Sequence, residues 1–270
     1  MLLVDNGSVD GSVNKIAQHF PEVSIIRSSE NLGYADGNNI GIRRALEAGA
    51  KYVLLLNNDT SVHPEFLVEL LQAAERYPEA GILGAKVVYY DRPDILWALG
   101  GDLQQPFGRI KMFRRNKPVN RLQSAPEEFD HVPGAVMFVR SEVFEQVGML
   151  DSEFFLAWED VEFCIRAQRA GWKIIGVPTS VVSHKVSRAT AGKLAMYFGQ
   201  RNRLLFTSKH LPHWQFGLVI LPFHFARLCA LLTTEVLRGR LDVAKAAALG
   251  TWDFFRGRLG KGSMPRVQKF

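Results

Sequence analysis

Short, wholly apolar runs alternate with stretches of helical periodicity over the first third of the chain. Leu2-Leu3-Val4 predicts the end of a strand, and Asp5-Asn6-Gly7-Ser8 a polar turn after it. A helix is expected over 11–19, a strand over 23–26 and a second helix over 35–48. Tyr52-Val53-Leu54-Leu55-Leu56 is a continuous apolar strand. Pro64 opens the next helix, to about 77, where its missing N–H costs nothing. Residues 91–130 are rich in Pro, Gly and Arg and predict a peripheral loop or insertion. Two more strands are expected over 132–139 and 173–177, with helices over 141–147 and 159–170. From Ala189 onward the pattern is helical, with breaks at Pro212 and Pro222. No segment repeats another.

Strands that are apolar throughout, rather than alternating, are buried on both faces. That pattern predicts an α/β fold: a mostly parallel sheet with helices on each side, then a helical carboxyl-terminal segment. Ligands of such sheets sit beyond the carboxyl ends of the strands. The residues to examine first are therefore those just after two strands, Asp5-Asn6-Gly7 and Asn57-Asn58-Asp59.

Composition adds three constraints. At 270 residues and 47% hydrophobic the chain can bury a full core, and 22% charged residues without a low-complexity tract exclude a disordered protein. Cys164 and Cys229 lack metal-ligand spacing and are expected as two buried thiols in a reducing compartment. Met1-Leu2-Leu3-Val4 meets Asp5 before an apolar core can form, so no signal peptide is expected here. The net charge of +6 hides an asymmetry: residues 1–162 hold 15 Lys and Arg against 24 Asp and Glu, and residues 163–270 hold 18 against 3. Such a basic half predicts an anionic partner, whether a diphosphate, a nucleic acid or an acidic membrane surface, unless it is only a solvated face.

Certain residues carry chemistry. Asp59 suits a hard divalent cation that bridges two phosphates, and an ordinary turn leading into the Pro64 helix accounts for it as well. In Phe154-Phe155-Leu156-Ala157-Trp158-Glu159-Asp160, apolar residues deliver a carboxylate pair to a helix start. The helix dipole alone favours acids there, while an apolar wall would also tune a general base. Glu162 lies round the helix from Asp160 and is expected to pair with Arg166, four residues on. Asn31-Leu32-Gly33-Tyr34-Ala35 with Asn38 and Asn39 offers backbone N–H groups at a helix start for a phosphate or base. His184, after Val181-Val182, reads as a structural histidine or a ligand.

In order, Asp5–Ser12, Asn31–Ala35, Leu54–Asp59, Pro133-Gly134-Ala135, Trp158-Glu159-Asp160, Arg166, Ala170-Gly171-Trp172 and Ser183-His184 resemble family 2 glycosyltransferases of the GT-A fold. The bacterial rhamnosyltransferase-like branch that builds cell-surface polysaccharides is the most similar. The resemblance covers residues 1–210, leaving 211–270 as a basic amphipathic helical region. It implies that Asp5, with Asn6 and Gly7, contacts the nucleotide, that Asn31, Gly33 and Asn38 line the donor pocket, and that Asn57 and Asn58 flank the diphosphate. Asp59 would hold Mg²⁺ or Mn²⁺, with His184 as a second metal or diphosphate contact. Asp160 would be the catalytic base and Glu159 its neighbour. Tyr197, Arg201 and Asn202 match a further family segment, in which Arg201 would neutralise the departing diphosphate. The implied reaction is inverting transfer from a dTDP-rhamnose or UDP-sugar donor to a glycan or lipid-linked acceptor.

The resemblance also implies a strand, turn and helix ahead of Leu2, so the catalytic domain is expected to be amino-terminally truncated. The carboxyl-terminal run 216–236 is apolar but broken by Pro222, His224 and Arg227. It predicts an interfacial helix on an anionic leaflet, placing the protein at the inner face of the cytoplasmic membrane, or a hairpin packed on the domain. Three competing functions remain. A nucleotidyltransferase would need a glycine- and lysine-rich loop that the start lacks. A non-catalytic, membrane-associated remnant or scaffold would fit the missing start. A nucleic-acid binder is disfavoured, because the aromatics of the basic half lie in apolar helical runs.

Overall fold

The computed structural model describes residues 1–185 and 192–264. The chain begins β1 (Leu2–Asn6), α1 (Ser12–His19), β2 (Ser24–Ser28), α2 (Gly33–Glu47), β3 (Tyr52–Leu56), β4 (Thr60–Val62) and α3 (Phe66–Arg76). It continues β5 (Ala80–Tyr89), β6 (Arg92–Ala98), β7 (Gly101–Gln104), β8 (Arg109–Met112), β9 (Glu127–Phe129), β10 (Val136–Arg140), α4 (Ser141–Val147), α5 (Glu159–Arg169) and β11 (Lys173–His184). The carboxyl-terminal part is α6 (Lys193–His210), α7 (His213–Gln215), a π-turn (Phe216–Ile220), α8 (Leu221–Leu237) and α9 (Leu241–Phe255). The helix expected from Ala189 thus starts at Lys193, and Ala189 itself lies outside the described residues.

A seven-stranded sheet carries the order β3-β10-β5-β11-β4, with β6 on β5 and β9 on β11. The α/β class stands, but the strand pairing does not match the expected mostly parallel pattern. Among the described residues only β5 with β11, and β1 with β2, pair in parallel, while β10 runs antiparallel between β3 and β5. Continuous apolar strands report burial on two faces and carry no information on direction. In β10 itself, Met137 and Val139 join one core with Ile42 of α2, Phe144 of α4 and Phe163 of α5. Val136 and Phe138 join the other, with Phe66 and Leu70 of α3. Successive side chains alternate across the pleat into the two layers.

The longest unexpected strand is β5, whose sequence Ala-Gly-Ile-Leu-Gly-Ala-Lys-Val-Val-Tyr is punctuated by glycines. At Gly84 a Cβ would lie 2.6 Å from the Val132 side chain, so the glycine marks a close approach inside the sheet and not a turn. Residues 91–130 are likewise not a loop. They supply β6 to the main sheet, the β7–β8 hairpin and β9. Pro222 does not break its helix either: a π-turn lies just before it, and irregular turns of this kind accommodate a missing donor. Cys164 is buried as expected, but Cys229 is exposed on α8.

β1 and β2 form a separate two-stranded sheet. Asn6 ties it to the rest: its side-chain amide donates to the Gly33 carbonyl (2.7 Å) and its carbonyl accepts from Leu32 N–H (2.9 Å).

Candidate active site

β3, β5 and β11 run in one direction, so the carboxyl ends of β3 and β11, Leu56 and His184, open on the same side of the sheet. β4 bridges the two ends, with Thr60 opposite His184 in the ladder and Lys185 N–H donating to the Asp59 carbonyl at 2.8 Å. Asp59 Oδ1 and His184 Nε2 thereby meet at 2.9 Å. The imidazole is 7% exposed, its Nδ1 is buried without a partner, and its ring stands edge-on to Trp97 with centroids 4.7 Å apart. A carboxylate oxygen and an imidazole nitrogen converging on one point are a fitting donor pair for Mn²⁺ or Mg²⁺. Among the described residues no third His, Cys, Asp or Glu completes a cluster. The remaining coordination positions would fall to phosphate oxygens and water, an arrangement usual for such cations. Asn57 is anchored by its backbone, donating N–H to the Ala135 carbonyl (3.0 Å) and accepting from Thr60 Oγ1 (2.6 Å). Asn58 is exposed beside it.

The segment 133–135 links this corner to Asp160. Ala135 accepts from Asn57, and Gly134 N–H donates to Asp160 Oδ2 at 2.9 Å. Val161 N–H donates to the other oxygen at 2.8 Å, and Tyr34 Oη donates to the Gly134 carbonyl. Helix capping accounts for only part of this placement, since the cap position of α5 is Trp158 and the carboxylate reaches across to a different segment.

The approach to Asp160 is held in an uncommon backbone conformation. Phe155, Ala157 and Trp158 have φ of 60°, 68° and 76°. Each such non-glycine residue costs of the order of 1–3 kcal/mol unless its surroundings enforce it. Here they do. Fully buried Asn202 donates its amide to the carbonyls of Phe154, Leu156 and Ala157 at 2.7, 2.9 and 2.7 Å. Arg201 donates to the carbonyls of Glu153, Phe154 and Gly260 at 3.2, 3.0 and 2.6 Å. Gly33 completes the clamp: at φ +81° it leaves room for Phe155, whose carbonyl would lie 2.4 Å from a Cβ there and accepts from Tyr34 N–H.

The expected diphosphate role of Arg201 does not fit this placement. Its guanidinium is buried and occupied by backbone carbonyls, so it shapes the loop before Asp160. Glu159 also turns inward. It is 4% exposed with Oε2 lacking a partner, and burial, reinforced by the Asp160 charge, pushes its pKa well above the usual carboxyl range. Burial thus favours its neutral form, and its side chain points away from the Asp160 carboxylate's backbone partners into the protein. Glu162 pairs with Arg166 as expected (2.8 Å) and also meets His210 (3.2 Å), which together hold its pKa down against the cost of burial.

The amino-terminal residues form the far wall. Asp5, Ser8, Gly11, Asn14, Arg27 and Ser28 line a depression of about 430 Å³ beyond the carboxyl ends of β1 and β2. Asp5 accepts from Ser8 N–H, and Gly7 makes the turn at φ +78°. Asn31 caps the Gly33 N–H at 2.8 Å, and Asn38 donates to the Tyr34 carbonyl at 2.8 Å. Hydrogen bonds run Asn6–Gly33, Tyr34–Gly134 and Gly134–Asp160, so the wall connects to the Asp160 corner.

Sequence reasoning missed His131, Trp97 and Arg115. His131 is 4% exposed with Nδ1 unpartnered, and burial lowers its pKa against the opposing pull of Asp160. Its position just ahead of Pro133-Gly134-Ala135 was the available signal. Arg115 stacks on Trp97 at 5.3 Å, one ring away from His184. Both lie in the stretch predicted as a loop, where no periodicity points to them.

Comparison with known proteins accords with this geometry. Residues 1–207 match the family described as glycosyltransferase like family 2. The chain is 28% identical to an N-acetylglucosaminyl-diphospho-decaprenol L-rhamnosyltransferase of Mycobacterium tuberculosis over 235 residues, covering 80% of this chain and 76% of the relative. It is 26% identical to the dTDP-rhamnosyl transferase RfbF of Shigella flexneri, covering 97% and 88%. The fold is similar to that of the mannosyltransferase PcManGT from Pyrobaculum calidifontis, solved with GDP-Man and Mn²⁺: TM-score 0.56 at 14% identity, covering 95% of this chain and 78% of that one. The α/β architecture is thus the GT-A fold, and the chain belongs to glycosyltransferase family 2.

Proposed function

We propose that this glycosyltransferase moves a sugar, with inversion, from a nucleotide-diphosphate donor to a hydroxyl of a cell-surface glycan or lipid-linked acceptor. The observation that carries the reading is the segment 133–135, which ties Asp160 and the turn bearing Asp59 to one corner of the sheet. Asp160 accepts the proton of the acceptor hydroxyl while that oxygen attacks the anomeric carbon, and the bond from that carbon to the diphosphate breaks. The two backbone N–H groups on Asp160 aim its carboxylate. Asp59 and His184 would hold Mg²⁺ or Mn²⁺, which supplies positive charge to the diphosphate. Arg115 adds a cation beside that pair. Asp5 and the depression around it would take the nucleotide, and Asn31, Gly33 and Asn38 would shape the wall between.

The names of the relatives favour dTDP-rhamnose as donor and a diphospholipid-linked sugar as acceptor. An acceptor of that kind would be met at the inner face of the cytoplasmic membrane, on an anionic lipid surface. The test is transfer of labelled rhamnose from dTDP-rhamnose to a polyprenyl-diphosphate sugar, with Mn²⁺ or Mg²⁺ and with chelator. Transfer equal in both conditions would remove the metal from the proposal, and no transfer from any nucleotide sugar would remove the enzyme.

A second reading, a non-catalytic remnant or scaffold, draws on the β1–β2 sheet, which hydrogen-bonds to no strand of the main sheet among the described residues. Metal-dependent hydrolysis of a donor separates the two, since only the enzyme releases nucleoside diphosphate.

A further inference from the structure

The helices after α6 turn large apolar side chains outward and several polar ones inward. Along α7, the π-turn and α8 the residues turned to the protein are Gln215, Ile220, His224, Leu228 and Glu235, three of them polar. Those turned outward include Trp214, Leu218, Phe225 and Val236, spaced as one face of a helix and 63, 76, 44 and 50% exposed. A helix packed on a soluble domain shows the reverse arrangement. α9 buries small residues, Ala244, Ala246, Ala247 and Gly250, with Thr251 and Asp253, and leaves the larger Leu241, Trp252 and Phe255 exposed. The two outward rows meet where Phe225 and Phe255 stack, centroids 5.9 Å apart.

The charges around this face have one sign. The three carboxylates of 211–264 are all engaged. Glu235 is buried and takes Arg238 (3.6 Å) and Arg240 (2.6 Å), Asp242 takes Lys193 (3.1 Å), and Asp253 accepts from Tyr197 and Ser263. Lys245 on α9 and Arg256 just after it stand outward, the latter stacked over Trp252 at 5.3 Å. Arg227, about 200° round α8 from Phe225, lies away from this face beside Phe223. Apolar rings at the level of basic side chains suit the boundary between lipid headgroups and acyl chains.

We propose that the outward face of α7–α9 lies flat on an anionic lipid bilayer, with Trp214, Leu218, Phe225, Trp252 and Phe255 in the headgroup boundary and Lys245 and Arg256 against lipid phosphates. His213–Leu237 is long and apolar enough to span a membrane by length and composition. Its inward polar groups argue for lying flat, because Gln215 donates to the Pro106 carbonyl (2.9 Å) and His224 bonds Thr251 (3.0 Å). Spanning would strip both from the domain. The proposal specifies where a lipid-linked acceptor would be met, but lipid binding is measured without donor or acceptor and stands apart from the assigned reaction.

The experiment is flotation of the full chain with phosphatidylcholine vesicles, with or without phosphatidylglycerol, at low and high salt. The expected result is at least about tenfold stronger partition onto the anionic vesicles, lost at high salt, with a blue shift of tryptophan emission. The double variant Leu218→Glu, Phe225→Glu changes only exposed positions and should keep its circular dichroism while losing at least about tenfold in partition. Equal partition onto both vesicles, no partition, or an unaffected double variant would overturn the proposal. So would a lipid-free dimer that the same substitutions dissociate, which would make the face an interface between copies.

Discussion

Replacing Asp160 by Asn tests the catalytic assignment most directly, and the structure fixes its expected size. The carboxylate accepts two backbone bonds, from Gly134 N–H at 2.9 Å and Val161 N–H at 2.8 Å. An asparagine has one carbonyl oxygen, so one of these donors must face an NH₂ group. Loss of one charge-assisted bond costs about 1.5–3 kcal/mol, a stability decrease that leaves a protein of ordinary stability folded. The catalytic cost is larger, because the amide cannot take a proton, and general-base assistance contributes typically 10²–10⁴-fold. Asp160→Asn should therefore lower kcat by at least about 10²-fold while donor affinity, read by calorimetry with Mn²⁺ present, changes less than about threefold. That difference separates a base from a donor-binding group. The reasoning fails if kcat falls less than about tenfold, or if donor binding is lost in a variant whose melting is still cooperative.

Two further substitutions probe the surroundings of Asp160. Glu159 is buried, and its pKa is raised above the ordinary 4.5 by burial and then by Asp160. Its contribution to stability is thus complete below that value and lost as pH rises through the folded-state pKa. Glu159→Gln should flatten the fall of Tm with rising pH while retaining transfer; an unchanged Tm–pH curve would show that Glu159 is ionised in the fold. Asn202→Ala strips its amide from three buried carbonyls. It should cost about 2–4 kcal/mol of stability by denaturant titration and reduce kcat more than donor affinity, because the loop it holds delivers Asp160. A loss of stability with kcat unchanged would mean that the positive-φ conformation survives without it.

The chemistry-bearing turns are legible in the sequence because they come directly after continuous apolar strands. Asp59 after Tyr52–Leu56 and Asp160 at the start of α5 lie where such strands and helix starts deliver ligands. What escapes is anything specified by packing between segments. β5 is hidden by Gly84, which exists because Val132 occupies its side-chain space. The direction of β10 is invisible because burial on both faces looks the same for parallel and antiparallel strands. Arg201 departs from its expected role for a related reason. Adjacent to Asn202 on a basic helix it resembles an anion ligand, and only the fold shows five carbonyls of the 153–157 loop and residue 260 waiting for those two side chains.

The basic half of the chain divides in the same way, which alters what its charge means. Arg166 is paired with Glu162, Arg201 is enclosed by carbonyls, and Arg203 donates to the carbonyls of Phe107 and Gly108 at 3.1 and 3.4 Å. These cations serve as partners for buried backbone oxygens, so part of the excess is internal and attracts nothing. Burial even lowers the Arg203 pKa to about 10, still leaving it charged at neutral pH. The part that faces outward includes Lys245 on α9 and Arg256 just after it, and the carboxylates of 211–264 are already engaged. Net charge counts both populations alike. Only the second can select a partner, and it divides again: Lys185 lies next to His184 and Asp59, while Lys245 and Arg256 stand with exposed Trp252 and Phe255. On the proposed docking of α7–α9, Lys245 and Arg256 would answer to an anionic surface, and Lys185 would be left to the donor diphosphate.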